Sequence, residues 1–414
     1  MKFVNQIIFG KIVFIILSIS LLIGFYFNEG SSGGSQGDFF LTWGYNIALQ
    51  ENILINPTSW TVHFPLHHII LSRLIYLIED QNSLRLFLCI ISISVPLLFY
   101  YNLKIKFNNI DKNILLFLAS LIFILPSFRY SAIWANNHIT ASIFFLLSTL
   151  FFLKWEKKGI NNELNINLIL NVFFLSLAVY TRQYYALFFL YFMFIYFQKL
   201  KFLTFLKLSL IVFILSLPGF FLISGQQELL VVTFTNKLFN SVLVNSSIIS
   251  FYLIPIFILT MFQNNNLFFK NKKILIISTI CSLLLTLLIS IPFNYNPSLG
   301  GGFIFKVSVL LFNNNLLFYL SSILGFIFFS LLSLENKNNF VLIVLLVFGF
   351  SAYMIFQKYF EPTFLFLFFL IFNTKISEYF LSNFKNLIFL YVYMIAYLIS
   401  ATLNNVYKII ENFL

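Results

Sequence analysis

Apolar runs of about 15 to 22 residues recur from residue 12 to residue 403 with only short polar breaks between them. Runs of that length suit helices crossing a hydrocarbon core of roughly 30 Å, and the alternating pattern of a membrane barrel is absent. At 60% hydrophobic and 9% charged residues, no soluble domain could cover the surface these runs would expose. The fold class expected is therefore all-α: one polytopic membrane helix bundle over residues 1–414, with about thirteen transmembrane helices. The expected spans are 12–27, 84–103, 113–126, 138–153, 166–180, 184–198, 203–223, 247–262, 274–291, 316–333, 340–356, 363–373 and 387–403.

Charge orients the spans. A net charge of +12 does not point to nucleic acid, because the lysines are scattered through short loops rather than gathered on one face. Placing the N-terminus inside puts Lys2, Lys11, Lys104, Lys106, Lys112, Lys154, Lys157, Lys158, Lys199, Lys201 and most later lysines on the cytoplasmic side, as the positive-inside rule requires. Every arginine and every histidine then falls on or near the opposite face, together with Glu29, Asp38, Glu51, Glu79, Asp80 and Glu361. Residue types that bind anions and move protons thus collect outside. The same count places the C-terminus outside. Residues 1–27 are read as an uncleaved first span, since no small-x-small cleavage site follows them.

Cys89 and Cys281 both lie inside apolar runs, which excludes a disulfide framework or a CxxC site. The bias toward Phe, Ile, Asn and Lys is that of an AT-rich coding sequence and carries no mechanistic weight.

The longest break in the chain is residues 28–83, taken as a first outer loop carrying interfacial helices. It opens with "NEGSSGGSQGD", a flexible stretch that lacks the terminal Gly-Lys-Ser/Thr of a phosphate loop and whose glycines would let Asp38 approach a substrate closely. In "FFLTWGYNIALQEN", Phe39, Trp43, Asn46, Ile47 and Gln50 recur at helical spacing with mixed polarity, as in a helix lying in the membrane interface. The run begun by Pro65 in "TVHFPLHHIILSRLIYLIED" is too short and too polar to span, and counting it would invert every later loop.

An acid shortly after the first span, two interfacial helices and a bundle with one chemical face resemble the GT-C superfamily of integral-membrane glycosyltransferases. Locally, "GDFFLTWGYNIALQENI", "HFPLHHIIL", "YSAIWANNHITASIFFLLSTLFFLKWEKK", "LAVYTRQYYALFFLYF" and "QKYFEPTFLFLFFLIF" look like successive landmarks of its bacterial and dolichol-dependent members. Many members show paired acids in this loop, whereas Asp38 stands alone with Glu51 next downstream. The resemblance implies transfer, with inversion, of a sugar from a polyprenyl-phosphate donor to a glycan, lipid or protein acceptor at the outer face, in a bacterial inner membrane with its site facing the periplasm. It implies no cofactor.

The residues fit that chemistry. Asp38 is the candidate general base for an acceptor hydroxyl; its structural alternative is an N-cap for the helix that follows. Arg182, with Gln183, interrupts two apolar runs on the outer side, where a guanidinium faces a cavity or a partner; the donor phosphate is the expected partner, against a structural ion pair or a snorkelling arginine. Lys358, Tyr359 and Glu361 form a charged turn late in the chain, either a second phosphate contact or a plain hairpin. His63 and His67 are four apart, but Pro65 intervenes and no HExxH pattern exists, so His63, His67 and His68 are assigned to hydrogen bonding with sugar or phosphate and no metal site is expected. Arg129 and His138, both candidates for substrate binding, flank "SFRYSAIWANNH", in which Trp134 either stacks on a sugar ring or belongs to an aromatic belt. Asn245 opens an "NSS" sequon on the outer side. Two rivals remain: an O-antigen type polymerase, which would place its large arginine-bearing loops later, and a lipid-linked glycan flippase or transporter, which would show charges at span centres or two matching halves.

Overall fold

The structure, a computed structural model, describes residues 4–31, 33–53, 55, 61, 63–158, 163–225, 238–263, 272–351 and 354–413. Helix is the regular structure of the described residues, among which there is no strand and one isolated bridge between Gly300 and Ile355. Seven helices are long and apolar enough to cross a membrane: 9–26, 81–106, 137–157, 202–225, 238–263, 316–335 and 384–403. Two bent pairs raise the number to nine if each is one span. The chain is a multi-pass integral membrane protein.

The finer expectation of thirteen straight spans meets backbone breaks. The expected span 113–126 is the helix Lys112–Ser120 followed by a 3-10 turn, and Pro126 then starts a new helix at 68° to it. Proline fits the first position of a helix and drives the preceding residue, here Leu125 with ψ 122, out of helical conformation. The expected span 363–373 ends in a π-helical turn and a 99° bend. Lys337–Phe348 stops at Gly349, short of residue 356, and at about 1.5 Å per residue its 12 residues cannot cross a 30 Å core upright.

The chain forms two compact units: residues 1–229 with 391–414, and residues 230–390. In the first, α1 (Val4–Tyr26) packs on α6 (Lys112–Ser120), α7 (Pro126–Ile133) and α4 (Gln81–Ser92); α4 continues after Ile93 as α5 (Ser94–Lys106). The long α8 (Asn137–Lys157) lies against α5 and α9 (Ile166–Thr181), and α10 (Ala186–Lys199) and α11 (Phe202–Gly225) follow. The loop after α1 holds two helices, α2 (Gly34–Glu51) and α3 (Leu66–Ile75), which pack on each other; α2 reaches α7, and α3 reaches α8 and α9. Asparagine or aspartate starts several of these elements. Asp80, Asp111 and Asn165 each accept a backbone N–H from the first turn of the helix they precede, at 2.7, 2.6 and 3.0 Å.

In the second unit the helix Leu238–Gln263 is buried along most of its length. Gly325 lets the helix Leu316–Glu335 approach it so closely that a Cβ would strike the Ser246 carbonyl. Ser322 donates across that seam to Leu243 O at 3.0 Å, a small-residue interface suited to helices in lipid. Asn245 lies inside this helix, fully buried, and donates to Val347 O at 2.9 Å. The sequon is therefore no outer-loop acceptor, because its amide is already committed to the core.

With the N-terminus inside, a membrane-impermeant thiol reagent applied from outside is expected to modify a cysteine placed at exposed Gly34 and to leave one at exposed Lys157 unmodified. Labelling of the Lys157 position alone would reverse the orientation.

Candidate functional site

The site grows from the turn that ends α1. Asn28 and Gly30 take positive φ angles of 51° and 78°, and a Cβ on Gly30 would collide with the Tyr130 ring. The turn brings Glu29 back over α1 onto Arg129 of α7. Arg129 donates from Nε to Glu29 Oε1 at 2.7 Å, from Nη2 to Glu29 Oε2 and to Ser20 O, and from Nη1 to Ser20 Oγ and Phe123 O. All five N–H groups of the guanidinium are thus used. Gly24 makes the room: any Cβ there would meet both the Glu29 carboxylate and the Arg129 Nη2. Arg129, expected to bind substrate, is instead the tie between α1 and α7 and has no donor left to offer.

Beside this pair, Arg85 of α4 lies flat on Trp134, its central carbon 3.7 Å from the ring centre, and donates to Ile133 O at 3.2 Å and Asn28 Oδ1 at 3.0 Å. Trp134 donates its indole N–H to Glu29 O at 3.0 Å and is 2% exposed. One face of its ring is covered by Arg85 and its edge is anchored, so it braces a turn and offers no platform to a sugar.

These clamps hold the residues linking α7 to α8. Ala135 there has φ 50°, a left-handed conformation costly for a residue with a Cβ. His67 fixes its carbonyl: Nε2 lies 3.1 Å from Ala135 O and Nδ1 2.9 Å from Thr140 Oγ1. A carbonyl only accepts, so Nε2 carries the proton and Nδ1 of the neutral ring accepts from Thr140. Burial, with the charge of Arg182 adding to it, lowers the His67 pKa to about 4.

The strained turn presents two asparagines. Asn136 donates from Nδ2 to Asp38 Oδ2 at 3.2 Å, and Asn137 accepts from Arg182 Nη1 on Oδ1 at 2.6 Å. Consecutive residues at the start of α8 therefore hold the expected base and the expected cation. Asp38 is half-buried; Arg182, the residue that ends α9, is 2% exposed and lies over the Tyr184 ring at 5.4 Å. Next to Arg182, Gln183 Oε1 meets His63 Nδ1 at 3.4 Å, and His138, second in α8, is buried with its backbone N–H on Asn136 Oδ1.

Several expectations change in this setting. The N-cap alternative for Asp38 fails, because α2 begins at Gly34 and Asp38 stands one turn inside it. The glycines before it belong to helix and turn, and neither Gly34 nor Gly37 has a neighbour that a Cβ would meet, so no close approach within the chain requires them. His63 precedes α3 and does not share a helical face with His67. His68 is turned toward α2, its Nδ1 2.8 Å from Asn46 Oδ1, and burial with the neighbouring His67 lowers its pKa well below the usual imidazole value. Lys358, Tyr359 and Glu361 belong to the second unit: Glu361 is buried and accepts from Tyr252 Oη at 2.7 Å, while Lys358 sits 5.5 Å from the Phe356 ring.

Asn136 and Asn137 escaped the sequence reading. Their signal was present: an asparagine immediately before the apolar periodicity of 138–153 marks a helix start.

No family model matches the chain, and neither the curated proteins nor the solved structures contain a significant match to it.

Two stability predictions follow from this geometry. Glu29→Ala leaves the Arg129 charge buried without its counter-ion and is expected to cost roughly 3–5 kcal/mol, read as a lowered melting temperature of the purified protein in detergent; Glu29→Gln, which keeps one acceptor, should cost less. His67 is neutral in the folded state down to about pH 4, whereas the unfolded chain takes up its proton near pH 6.5. Stability is therefore complete above about pH 6.5 and declines as pH falls toward 4, by up to roughly 3 kcal/mol for this ring. Melting curves of the wild type and His67→Gln across that range should converge at low pH; parallel curves would place the titration elsewhere.

Proposed function

We propose that the protein is a membrane glycosyltransferase of the GT-C type, moving a sugar from a polyprenyl-phosphate donor to an acceptor at the outer face of the membrane. The carrying observation is that Asp38 and Arg182 are joined to neighbouring side chains, Asn136 and Asn137, of one turn. A base and a cation so linked suit a displacement in which both ends of the reacting bond need attention. The acceptor hydroxyl attacks the anomeric carbon and gives its proton to the Asp38 carboxylate. The bond from that carbon to the phosphate oxygen breaks on the opposite face, and the departing lipid phosphate keeps the electron pair, which the Arg182 guanidinium stabilises. Attack opposite the leaving group inverts the anomeric centre.

Asn136 contributes by aiming the carboxylate, and Gln183, His63 and His138 supply polar groups beside Arg182 for sugar hydroxyls. The lysine distribution and the first loop favour a bacterial inner membrane with this turn on the periplasmic side.

The test is turnover of a panel of undecaprenyl-phosphate sugars by the purified protein, read as released undecaprenyl phosphate. Asp38→Asn should lower the rate by about 10²-fold to 10⁴-fold while the protein remains folded. Arg182→Ala should weaken donor use strongly and Arg182→Lys partly, since charge survives but the planar fork does not. Near-normal turnover in Asp38→Asn would remove the carboxylate from the chemistry.

A further inference from the structure

The side chain of Asn137 is 94% buried, being 6% exposed, yet only its oxygen is bonded. Oδ1 must face Arg182, because a guanidinium can only donate, and this fixes Nδ2 on the other side of the amide. Among the described residues Nδ2 has no hydrogen-bond partner, so two N–H donors stand beside the guanidinium that Oδ1 accepts from. Nδ2 is not among the fully enclosed polar atoms that lack a partner, so it keeps some accessible surface through which an acceptor from outside the chain can reach it. Asn136 uses one of its own two N–H donors on Asp38. The turn therefore shows unused amide donors, those of Asn137 beside Arg182. Asn137 is also the first residue of a 21-residue helix, whose N-terminal end carries partial positive charge. Donors, cation and dipole all select the same ligand chemistry, an oxyanion.

We propose that Asn137 binds substrate directly: its Nδ2 donates to a phosphoryl oxygen whose neighbouring oxygen is held by Arg182. The residue would thus have two tasks, orienting the guanidinium through Oδ1 and completing the anion cradle through Nδ2. This deepens the reading of Arg182 as the phosphate cation and rests on it. The shared chemistry is a phosphomonoester or phosphodiester oxygen, which a lipid phosphate and a short soluble phosphate both carry.

Asn137→Asp separates the two tasks. The carboxylate still accepts from Arg182, so packing and melting temperature are expected to hold, but the donors are gone. In nanodiscs, affinity for undecaprenyl phosphate should fall by at least about tenfold. Because a carboxylate also offsets the Arg182 charge, a second measurement reads the amide itself. With isotope-labelled asparagine, the side-chain amide signal that disappears in Asn137→Asp should shift in the wild type when phosphate is added. A shift with both undecaprenyl phosphate and geranyl phosphate supports the proposal and the lipid donor together. A shift with geranyl phosphate alone keeps Asn137 as an anion ligand and removes the long lipid donor. Phosphate binding with a stationary Asn137 amide, unchanged affinity in Asn137→Asp, or no binding of either phosphate would overturn it.

Discussion

The ion pair between Glu29 and Arg129 is the constraint on which the candidate-site end of the first unit depends. Two charges taken out of water are tolerated only if each finds its partner and the remaining donors are satisfied, and here every N–H of Arg129 is. That completeness has sequence requirements at a distance. Gly24 must lack a Cβ, Asn28 must turn the chain with positive φ, and Pro126 must break the helix so that α7 can carry the arginine to α1. The pair is a registration device: it fixes where the chain leaves α1 and where α7 begins.

From there position propagates by contact. Glu29 supplies its backbone carbonyl to the Trp134 indole, Trp134 is pressed by Arg85, and Arg85 reaches back to Asn28. The left-handed Ala135 follows, held by His67, and the next two residues are Asn136 and Asn137. Conformational cost at Ala135 persists because the surroundings over-determine it, which is the usual condition for strained backbone at a site. Two arginines and two carboxylates thus divide by role. Arg129 and Glu29 neutralise each other and build the frame, while Arg182 and Asp38 each bond a neutral amide of the asparagine turn.

Part of this was legible in the sequence. Long apolar runs declare membrane helices whatever their packing, and the seven long ones fall on expected spans. Where a run is interrupted inside, hydropathy is blind. Pro126 sits at the end of an apolar run and reads as its boundary, yet it opens a new helix, and Gly302–Phe312 is an 11-residue helix in a segment taken as a break. The site residues divide the same way. Asp38 and Arg182 stood out because an ionisable group near apolar sequence is conspicuous, and the structure brings both to one turn. Asn136 and Asn137 did not, because asparagine is abundant in this chain and was set aside as compositional bias. In the folded protein that bias does physical work at helix starts, as at Asn165, and inside the core, as at Asn245. Arg129 illustrates the converse: its residue type suggested phosphate, and only coordinates reveal that a glutamate 100 residues away already occupies it.

The protonation state of His67 bears on what the site can hold. Its ring lies close enough to Arg182 for that charge to oppose its own, and burial opposes it further. A neutral imidazole with a fixed tautomer keeps the Ala135 carbonyl bonded and adds no second positive charge near the guanidinium. Were the ring charged, Nδ1 could no longer accept from Thr140, and its charge would be opposed by that of Arg182. Neutral His67 therefore holds the Ala135 turn in place without adding a charge beside Arg182. The device that orders the asparagine turn is in this way electrically silent, so geometry and charge are supplied by different side chains.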